Sequence, residues 1–386
     1  MNKKTKLAAL SLALMFVLSG CWNYRSLSEI AITAGMAIDM DPESGEFVVV
    51  CEVMDLSGDM KSGGPKTSLI ESKGKTVFDA LRNAKKRLEK KLYFGNMSLV
   101  VVSEELVKKG HVAHMLDWFL RDAELRETVY MVVSQDKTAA ELLDSKGINT
   151  SIVSFELSNI LRDDQSVTSS TVSSMLYQAF NMLHAEGLHM TLPAFHVVTN
   201  NDEPVAEANG IAVFKEDQFV GYLTPEESKY FLFITNEVQG GILPVSRKGG
   251  WKDDTSLEIS ENKTKNSYKI EDGKLRVTVS TETNAFLAEI EEKFDSLDPE
   301  KITSLEAAAG AALKNRMEDV IKKVQTEYRS DIFGFGDMIH KKNHKLWAQI
   351  SGNWDEIFPS LEISVNAKVN IVNSAYIKDT EQEKDK

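Results

Sequence analysis

Strand-like and helix-like segments alternate along the sequence between residues 97 and 143. Short apolar runs at Met97–Ser103 and Thr128–Ser134 are typical of buried strands, and each is followed by a segment with helical spacing, Glu104–Leu120 and Thr138–Leu143. A chain that alternates in this way buries its strands in a sheet covered by helices. The sequence therefore predicts an α+β or mixed α/β fold, with mixed sheets packed against helices.

Two further strands are predicted before this region. Residues Ile30–Asp39 and Phe47–Met54 are apolar and rich in β-branched side chains, and the turn Asp41–Gly45 separates them. The stretch that follows, LSGDMKSGGPKTS, is rich in Gly, Ser and Lys and is predicted to be an exposed loop. Further along, LHMTLPAFHVV is predicted to be a strand in which Pro193 lies at an edge or a bulge. The helical segments predicted between them are 152–162 and 171–186.

Residues 76–92, TVFDALRNAKKRLEKKL, are predicted to form one amphipathic helix, because their apolar positions recur every three or four residues. The opposite face carries the cations Arg82, Lys85, Lys86, Arg87, Lys90 and Lys91. This is the only basic cluster in an acidic protein. It could bind lipid headgroups or an acidic partner, but a solvated helix face is the favoured interpretation.

A polar, turn-rich segment, TNNDEPVAEAN (199–209), is predicted to separate two domains. After it, GIAVFKEDQFVGYL predicts a hairpin with its turn at Lys215–Gln218, and Pro225 opens a helix with acidic residues in its first turn. Residues 255–292 are predicted to form several antiparallel strands, and the apolar stripe of residues 299–329 predicts a long helix. The final strand is LEISVNAKVNIV.

The predicted organisation has four parts: a signal peptide at residues 1–20 that is removed, an N-terminal α/β domain at 21–200, a C-terminal α/β domain at 201–375 and a disordered tail at 376–386. The C-terminal domain holds the long helix and could itself divide into two subdomains near residue 240. The tail is predicted to be disordered because its last nine residues, KDTEQEKDK, are charged or polar and have no apolar side chain to bury.

The N-terminus combines a positive start with a short apolar run. Three lysines precede residues 7–18, LAALSLALMFVL. A helix of that length spans about 18 Å against about 30 Å of bilayer hydrocarbon, so the run is typical of a secretory signal peptide and short for a permanent span. The run ends in LSGC (18–21), which resembles the lipobox of bacterial lipoproteins.

This resemblance implies that Cys21 is a lipid attachment site. In such lipoproteins the thiol receives a diacylglycerol, and cleavage then makes this cysteine the first residue of the mature chain; addition of an N-acyl chain stays open. Two acyl chains hold a domain at a bilayer where one chain holds it only marginally. The alternatives are an ordinary signal peptide with a chance cysteine, and an uncleaved anchor.

The composition argues against nucleic-acid binding and against an intramolecular disulfide. The net charge of the chain is −13, whereas a nucleic-acid-binding protein needs a basic footprint, so nucleic acid is not expected as a partner. Cys51 is the only cysteine besides Cys21. If Cys21 is lipidated, no intramolecular disulfide can form, and the apolar run around Cys51 predicts a small, buried side chain.

No residue pattern points to catalysis, a metal or a cofactor. The sequence has no G-x-S-x-G elbow, no phosphate-binding P-loop and no H-E-x-x-H motif. The pairs His111/His114 and His340/His344 have helical spacing, and Asp117 follows His114 by three residues. Surface or hydrogen-bonded histidines explain these pairs better than a metal site does. The chain is therefore predicted not to be an enzyme.

The stretch DIFGFG, just after the long helix, alternates aromatic residues with glycines. Together with Trp347 and Trp354, the side chains of Phe333 and Phe335 could anchor a partner, since aromatic residues dominate many interfaces. Core packing at a tight backbone turn is the favoured interpretation.

Four stretches in a fixed order resemble one family. They are CWNYRSLSEIAITAGMAID directly after the lipobox, KKLYFGNMSLVVVSEELVKKG, GIAVFKEDQFVGYL with its Pro-Glu-Glu-Ser helix start, and DIFGFGDMIHKKNHKLWAQISGNWDEIF before the last strand. Together they resemble the Ger(x)C family, the C subunits of nutrient germinant receptors in endospore-forming bacteria. The family usually has a more charged segment after the cysteine than WNYRS (22–26), so no fixed polar contact is expected there.

The resemblance implies a non-enzymatic receptor subunit without a cofactor, lipid-anchored at Cys21 on the outer face of the spore inner membrane. Family members act with an A subunit, a membrane protein with soluble domains, and a B subunit that resembles an amino-acid transporter. Nutrient binding to the complex leads to release of ions and dipicolinate. A solute-binding lipoprotein of a transporter is the alternative, although residues 255–292 and 299–329 do not suggest a second ligand-binding lobe. A lipid-anchored hydrolase would need a nucleophile and a base that the sequence does not offer.

Overall fold

The structure, a computed structural model, describes residues 29–55, 66–121, 124–245, 255–290 and 298–372. The predicted signal peptide, Cys21 and the predicted disordered tail lie outside these residues. Within them the chain forms two mixed β-sheets packed with helices, and the predicted mixed α+β class is confirmed.

The first sheet has a parallel centre and antiparallel edges. Its strands are β1 (Ile30–Met40), β2 (Phe47–Asp55), β3 (Lys66–Gly74), β4 (Lys91–Tyr93), β5 (Leu99–Ser103), β6 (Tyr130–Ser134), β7 (Thr191–Asn200), β8 (Glu203–Lys215) and β9 (Gln218–Leu223). They lie in the order β3-β2-β1-β5-β6-β7-β8-β9, with β4 beside β1. The β1–β5, β5–β6 and β6–β7 pairs are parallel, as the strand–helix alternation of the sequence requires.

The second sheet is smaller and joins distant parts of the chain. Its strands are β10 (Ile242–Val245), β11 (Thr255–Glu271), β12 (Lys274–Ile290) and β13 (Glu362–Ile371), in chain order across the sheet. The first three are antiparallel, whereas β13 lies parallel to β12. The region predicted as several antiparallel strands, 255–292, thus consists of two long strands over its described residues.

Helices cover both faces of the first sheet and pack against the second. They are α1 (Val77–Asn83), α2 (Glu104–Lys108), α3 (Val112–Arg121), α4 (Ala140–Asp144), α5 (Val153–Val167), α6 (Leu176–Leu183), α7 (Pro225–Thr235), α8 (Pro299–Lys323), α9 (Phe335–Lys342), α10 (His344–Ile350) and α11 (Trp354–Ile357). Helices α1, α2, α3 and α6 share one buried cluster with the first sheet, and α4 and α5 share another on its opposite face. None of the described helices is long and apolar enough to cross a membrane.

A third core connects the two sheets. Ile211 and Val213 of β8 and Leu223 of β9 belong to the same buried cluster as Leu257 of β11 and Val277 of β12. Strands β7 and β8 pair with each other, so the predicted boundary near residue 200 falls at a hairpin turn within one sheet. The division into an N-terminal and a C-terminal domain stays a prediction.

Several local predictions are confirmed, among them the start of helix α7 at Pro225. Thr224 and Glu227 form a reciprocal cap at the start of α7: the Thr224 hydroxyl accepts from Glu227 N at 3.2 Å, and the Glu227 carboxylate accepts from Thr224 N at 2.8 Å. Pro193 lies at a bulge between β7 and β8. The long helix runs from Pro299 to Lys323 and continues in one wider turn, Val324–Tyr328.

The predicted helix 76–92 is wrong beyond its first turns. The Thr76 hydroxyl accepts from Asp79 N at 3.1 Å and starts α1, but the helix ends at Asn83, and a 3-10 turn follows at Ala84–Lys86. Residues Lys91–Tyr93 instead pair in parallel with the start of β1. Backbone pairing with the sheet and burial of Leu92, which is 7% exposed, stabilise this strand more than a further turn of helix would.

Two other predictions need correction. The last three residues of the predicted loop, Lys66–Ser68, belong to strand β3. Residues 56–65 of that loop lie outside the described part of the chain. The predicted helix Glu104–Leu120 is two helices, α2 and α3. Between them Gly110 has a φ of +72°, a conformation that ends a helix and that glycine adopts without strain.

Candidate functional site

The buried carboxylates of the described chain bind its own backbone. The side chains in question are those of Asp39, Glu52, Asp164 and Asp331. Each accepts at least one hydrogen bond from a backbone N–H, such as Asp39 from Ala139 N at 2.7 Å and Asp164 from Thr171 N at 3.0 Å. A buried carboxylate needs such donors because burial disfavours its charge. These acids therefore have structural roles.

Asp331 organises the aromatic–glycine segment. It is 1% exposed, and its carboxylate accepts from Phe335 N at 3.2 Å, Gly336 N at 2.8 Å and Trp354 Nε1 at 3.2 Å. Burial raises the pKa of Asp331 to about 7, against the lowering effect of these donors. One side chain thus joins the start of α9 to the tryptophan of α11.

The segment before β7 packs directly on this motif. Gly187 O accepts from Asp337 N at 2.9 Å, and Asp331 O accepts from His189 N at 2.9 Å. Gly187 and Gly336 lie so close that a Cβ added to Gly336 would come within 2.7 Å of Gly187 Cα. Only glycines allow this approach, which connects the first sheet to the helices that precede β13.

The four aromatic residues of this region are core residues. Phe333, Phe335, Trp347 and Trp354 are 6%, 0%, 5% and 5% exposed, and all belong to the core that connects the two sheets. The favoured interpretation, packing at a tight turn, is confirmed. The two tryptophans line a cleft of about 540 Å³ together with Glu186, whose carboxylate accepts from Trp347 Nε1 at 2.6 Å.

Ring packing accounts for three of the four histidines in these pairs. His340 and His344 contact each other with ring centroids 5.0 Å apart, and His340 also stacks on Trp347 at 5.7 Å. His111 packs edge-on against Phe47. Among the residues that the structure describes, no group of three His, Cys, Asp or Glu side chains could hold a metal ion.

Cys51 lies in the middle of β2 and is fully buried, as the sequence predicted. Burial raises the pKa of its thiol to about 12, so it is protonated and shielded at neutral pH. Cys21, the predicted lipid attachment site, lies outside the described residues and stays a prediction.

Sequence reasoning did not find the role of Glu52. It is 0% exposed in β2, and its carboxylate accepts from Val153 N and Ser154 N, both at 2.9 Å, and from the Ser154 hydroxyl at 2.5 Å. It thereby caps the first turn of α5, about a hundred residues later in the chain. The position of Glu52 inside an apolar run indicates an unusual buried acid, but the sequence does not indicate which residues it contacts.

The predicted basic cluster forms a cavity instead of a flat helix face. Arg82, Lys85, Lys90 and Lys91 line a space of about 670 Å³ together with Glu29, the first described residue. The remaining lining residues are Phe78, Leu81, Leu92, Phe94 and Glu124.

Two family models match the chain over most of its length. A family model described as "Spore germination protein N-terminal domain" matches residues 23–197, and one described as "Spore germination B3/ GerAC like, C-terminal" matches residues 209–375. The chain therefore belongs to the Ger(x)C family of spore germination proteins, as its sequence indicated.

Individual relatives align over nearly their whole length. "Spore germination protein KC" of Bacillus subtilis (strain 168) is 26% identical over 393 residues, covering 96% of each chain. "Spore germination protein B3" of the same organism is 23% identical over 364 residues, covering 93% of this chain and 95% of the relative. The crystal structure of the GerBC protein has 21% identity and a TM-score of 0.54, covering 88% of this chain and 97% of that one, and it shows the same fold.

Proposed function

We propose that the chain is a lipid-anchored, non-enzymatic C subunit of a nutrient germinant receptor, which acts with an A and a B membrane subunit. The observation that carries the proposal is the match of both family models, in order, over residues 23–197 and 209–375. The relatives that cover almost the whole chain are spore germination proteins by name. The expected location is the outer face of the spore inner membrane.

The described side chains support a non-catalytic role. The buried acids that could serve in acid–base chemistry bind backbone N–H groups at turns and helix starts. The only described cysteine, Cys51, is shielded and protonated. The aromatic residues of the DIFGFG segment are in the core. In the proposed function, the chain offers its partners a binding surface, and the predicted lipid on Cys21 holds that surface close to the membrane.

We expect the predicted anchor at Cys21 to promote binding of this surface to the membrane subunits. A lipidated chain is confined to a thin layer above the bilayer, which raises its effective concentration at membrane-embedded subunits. Contacts of modest affinity are then occupied without a large interface. In this mechanism the protein contributes binding energy and position to the receptor, and the membrane subunits carry the nutrient response.

The tether is tested with Cys21→Ala, and Cys51→Ala is the matched control because Cys51 has no predicted lipid. In spores, we expect Cys21→Ala to remove the protein from the membrane fraction and to abolish its contribution to germination. Cys51→Ala should leave both in place. Normal germination and normal membrane recovery with Cys21→Ala would exclude the tether.

The receptor role is tested with spores that lack the gene. Dipicolinate release is measured for a panel of amino acids, sugars and nucleosides. Loss of the response to one nutrient class, with normal responses to the others, is the expected result. If the deletion leaves every response unchanged in a strain without other receptors of this family, the protein is not a receptor subunit.

A further inference from the structure

The basic cavity at the start of the described chain has a chemistry that the proposed function does not use. We call it the anchor-side cavity; its charged lining consists of Arg82, Lys85, Lys90 and Lys91 together with Glu29 and Glu124. Its volume is about 670 Å³. Four cations against two carboxylates make it locally positive, in a chain whose net charge is −13. Lys86 and Arg87 are also exposed and follow Lys85 in the chain, but they do not line the cavity.

The fold concentrates this charge. A continuous helix through residues 76–92 would spread the cations along its axis over several turns. Instead, α1 ends at Asn83, and β4 brings Lys91 back beside the start of β1. Lys90 and Lys91 therefore face the same space as Arg82 and Lys85. Arg82, Lys85 and Lys90 stay exposed to solvent, as the sequence favoured, but they lie around a concave surface and not along one helix face.

An exposed aromatic residue lies at the same place. Phe78 is 42% exposed, which is unusual for its type, and the Arg82 guanidinium lies over its ring at 4.6 Å from the centroid. Trp118 packs beside it, with ring centroids 6.4 Å apart. Cations next to exposed aromatic side chains are typical of surfaces that rest on the headgroup region of a bilayer.

The chain itself holds this surface close to the predicted anchor. Glu29 lines the cavity, and Cys21 precedes it by eight residues. Eight extended residues reach at most about 28 Å. A compact chain of this length is about 50 Å across, so the face that carries the cavity is the one that a lipid on Cys21 keeps near the membrane.

We propose that the anchor-side cavity binds the phosphate headgroups of anionic phospholipids and seats the protein on the bilayer in one orientation. The cations supply the charge complementarity, and Phe78 contributes the apolar contact. Lys91 forms an ion pair with Glu124, so Arg82, Lys85 and Lys90 are the cations that carry the site. An acidic protein partner is the other occupant that the charge would allow, and the test separates the two.

The test uses the mature chain with Cys21→Ser, which lacks the lipid, and flotation with vesicles of phosphatidylcholine alone or mixed with phosphatidylglycerol. Binding is expected only to the vesicles that contain phosphatidylglycerol, and it should weaken as salt is added. Removing three cations by Arg82→Gln/Lys85→Gln/Lys90→Gln should weaken binding about a hundredfold, since each cation near an anionic surface contributes roughly fivefold.

The control removes the same charge elsewhere. Lys263, Lys265 and Lys269 are exposed on β11 in the second sheet, and their triple change to Gln should leave vesicle binding as it was. Absence of binding to phosphatidylglycerol, equal binding to both kinds of vesicle, or equal losses in the two triple variants would each overturn the proposal, and the first of these would favour an acidic protein partner.

The proposal rests on the proposed function for its orientation only, and the two can fail separately. If the unlipidated chain binds anionic vesicles but Cys21→Ala spores germinate normally, the tether fails and the lipid site stands. If Cys21→Ala abolishes germination but the vesicles are not bound, the lipid site fails and the tether stands.

Discussion

Changing Gly334, Gly336 and Gly352 to alanine one at a time distinguishes two ways in which alanine destabilises a fold: a steric clash of its Cβ and strain of the backbone. A Cβ at Gly336 would lie 2.7 Å from Gly187 Cα, 2.8 Å from Trp354 Nε1 and 2.9 Å from Gly187 O. Two of these atoms are backbone, so they cannot rotate away. At Gly334 the nearest atom is 3.5 Å away, but φ is +72°. At Gly352 nothing lies within 4 Å, and φ is not in the left-handed region.

The expected losses of stability follow from these distances. Overpacking costs about 1 to 3 kcal/mol, and a shift of Gly336 also strains the hydrogen bond from its N–H to Asp331, which contributes about 1 kcal/mol more. Gly336→Ala should therefore lose about 3 kcal/mol. Gly334→Ala should lose about 1 to 2 kcal/mol from its left-handed backbone alone. Gly352→Ala should be neutral or slightly stabilising.

The measurement is urea unfolding of the mature chain with Cys21→Ser, followed by tryptophan fluorescence, because Trp347 and Trp354 lie in this region. The ranking matters more than the absolute values, since a chain with two sheets need not unfold in one step. If Gly336→Ala unfolds at the same urea concentration as Gly352→Ala, the close approach of Gly187 and Gly336 does not hold the motif together.

Three further predictions concern buried ionisable groups. Glu52→Gln should lower the free energy of unfolding in urea by about 2 to 3 kcal/mol, because the backbone N–H donors at the start of α5 lose their charged acceptor. The control, Glu71→Gln at an exposed position of β3, should have little effect. Equal losses in the two variants would contradict this role of Glu52. The pKa of Asp331 is about 7 in the folded chain and about 4 when unfolded, so between these values the folded state holds the extra proton and stability falls as pH rises. Relative to Asp331→Asn, the parent chain should lose about 2 kcal/mol between pH 5 and pH 7.5, and parallel pH profiles would refute this. Finally, a thiol reagent should label Cys51 only after unfolding, because its thiol is buried; rapid labelling of the native Cys21→Ser chain would show that β2 opens.

Local signals account for what the sequence predicted well. Helix α7 begins at Pro225 as predicted, and the residues that start it, Thr224, Pro225 and Glu227, lie within four residues of one another. The β8–β9 hairpin likewise depends on a short turn between two apolar runs. In both cases the residues that decide the structure are neighbours in the chain, so one sequence is enough to identify them.

The features that the sequence did not predict depend on contacts between residues that are far apart in the chain. Residues Lys91–Tyr93 continue a helical pattern, and only their pairing with β1, about sixty residues earlier, makes them a strand. Strand β3 lies at the edge of the sheet and is mostly polar, so it lacks the apolar alternation of a buried strand. Glu52 shows the same limit at a site: its role depends on the start of α5, which the sequence does not place beside it.

The position of β13 determines when this protein can finish folding. The strand pairs in parallel with β12, and about seventy residues separate the end of one from the start of the other. Such a contact of high sequence separation forms slowly. Because a chain is synthesised from its N-terminus, the second sheet lacks its edge strand β13 until almost the last described residue has been synthesised. The first sheet, which includes β8 and β9 from the start of the region matched by the C-terminal family model, can form earlier, whereas the second sheet waits for the end of the chain.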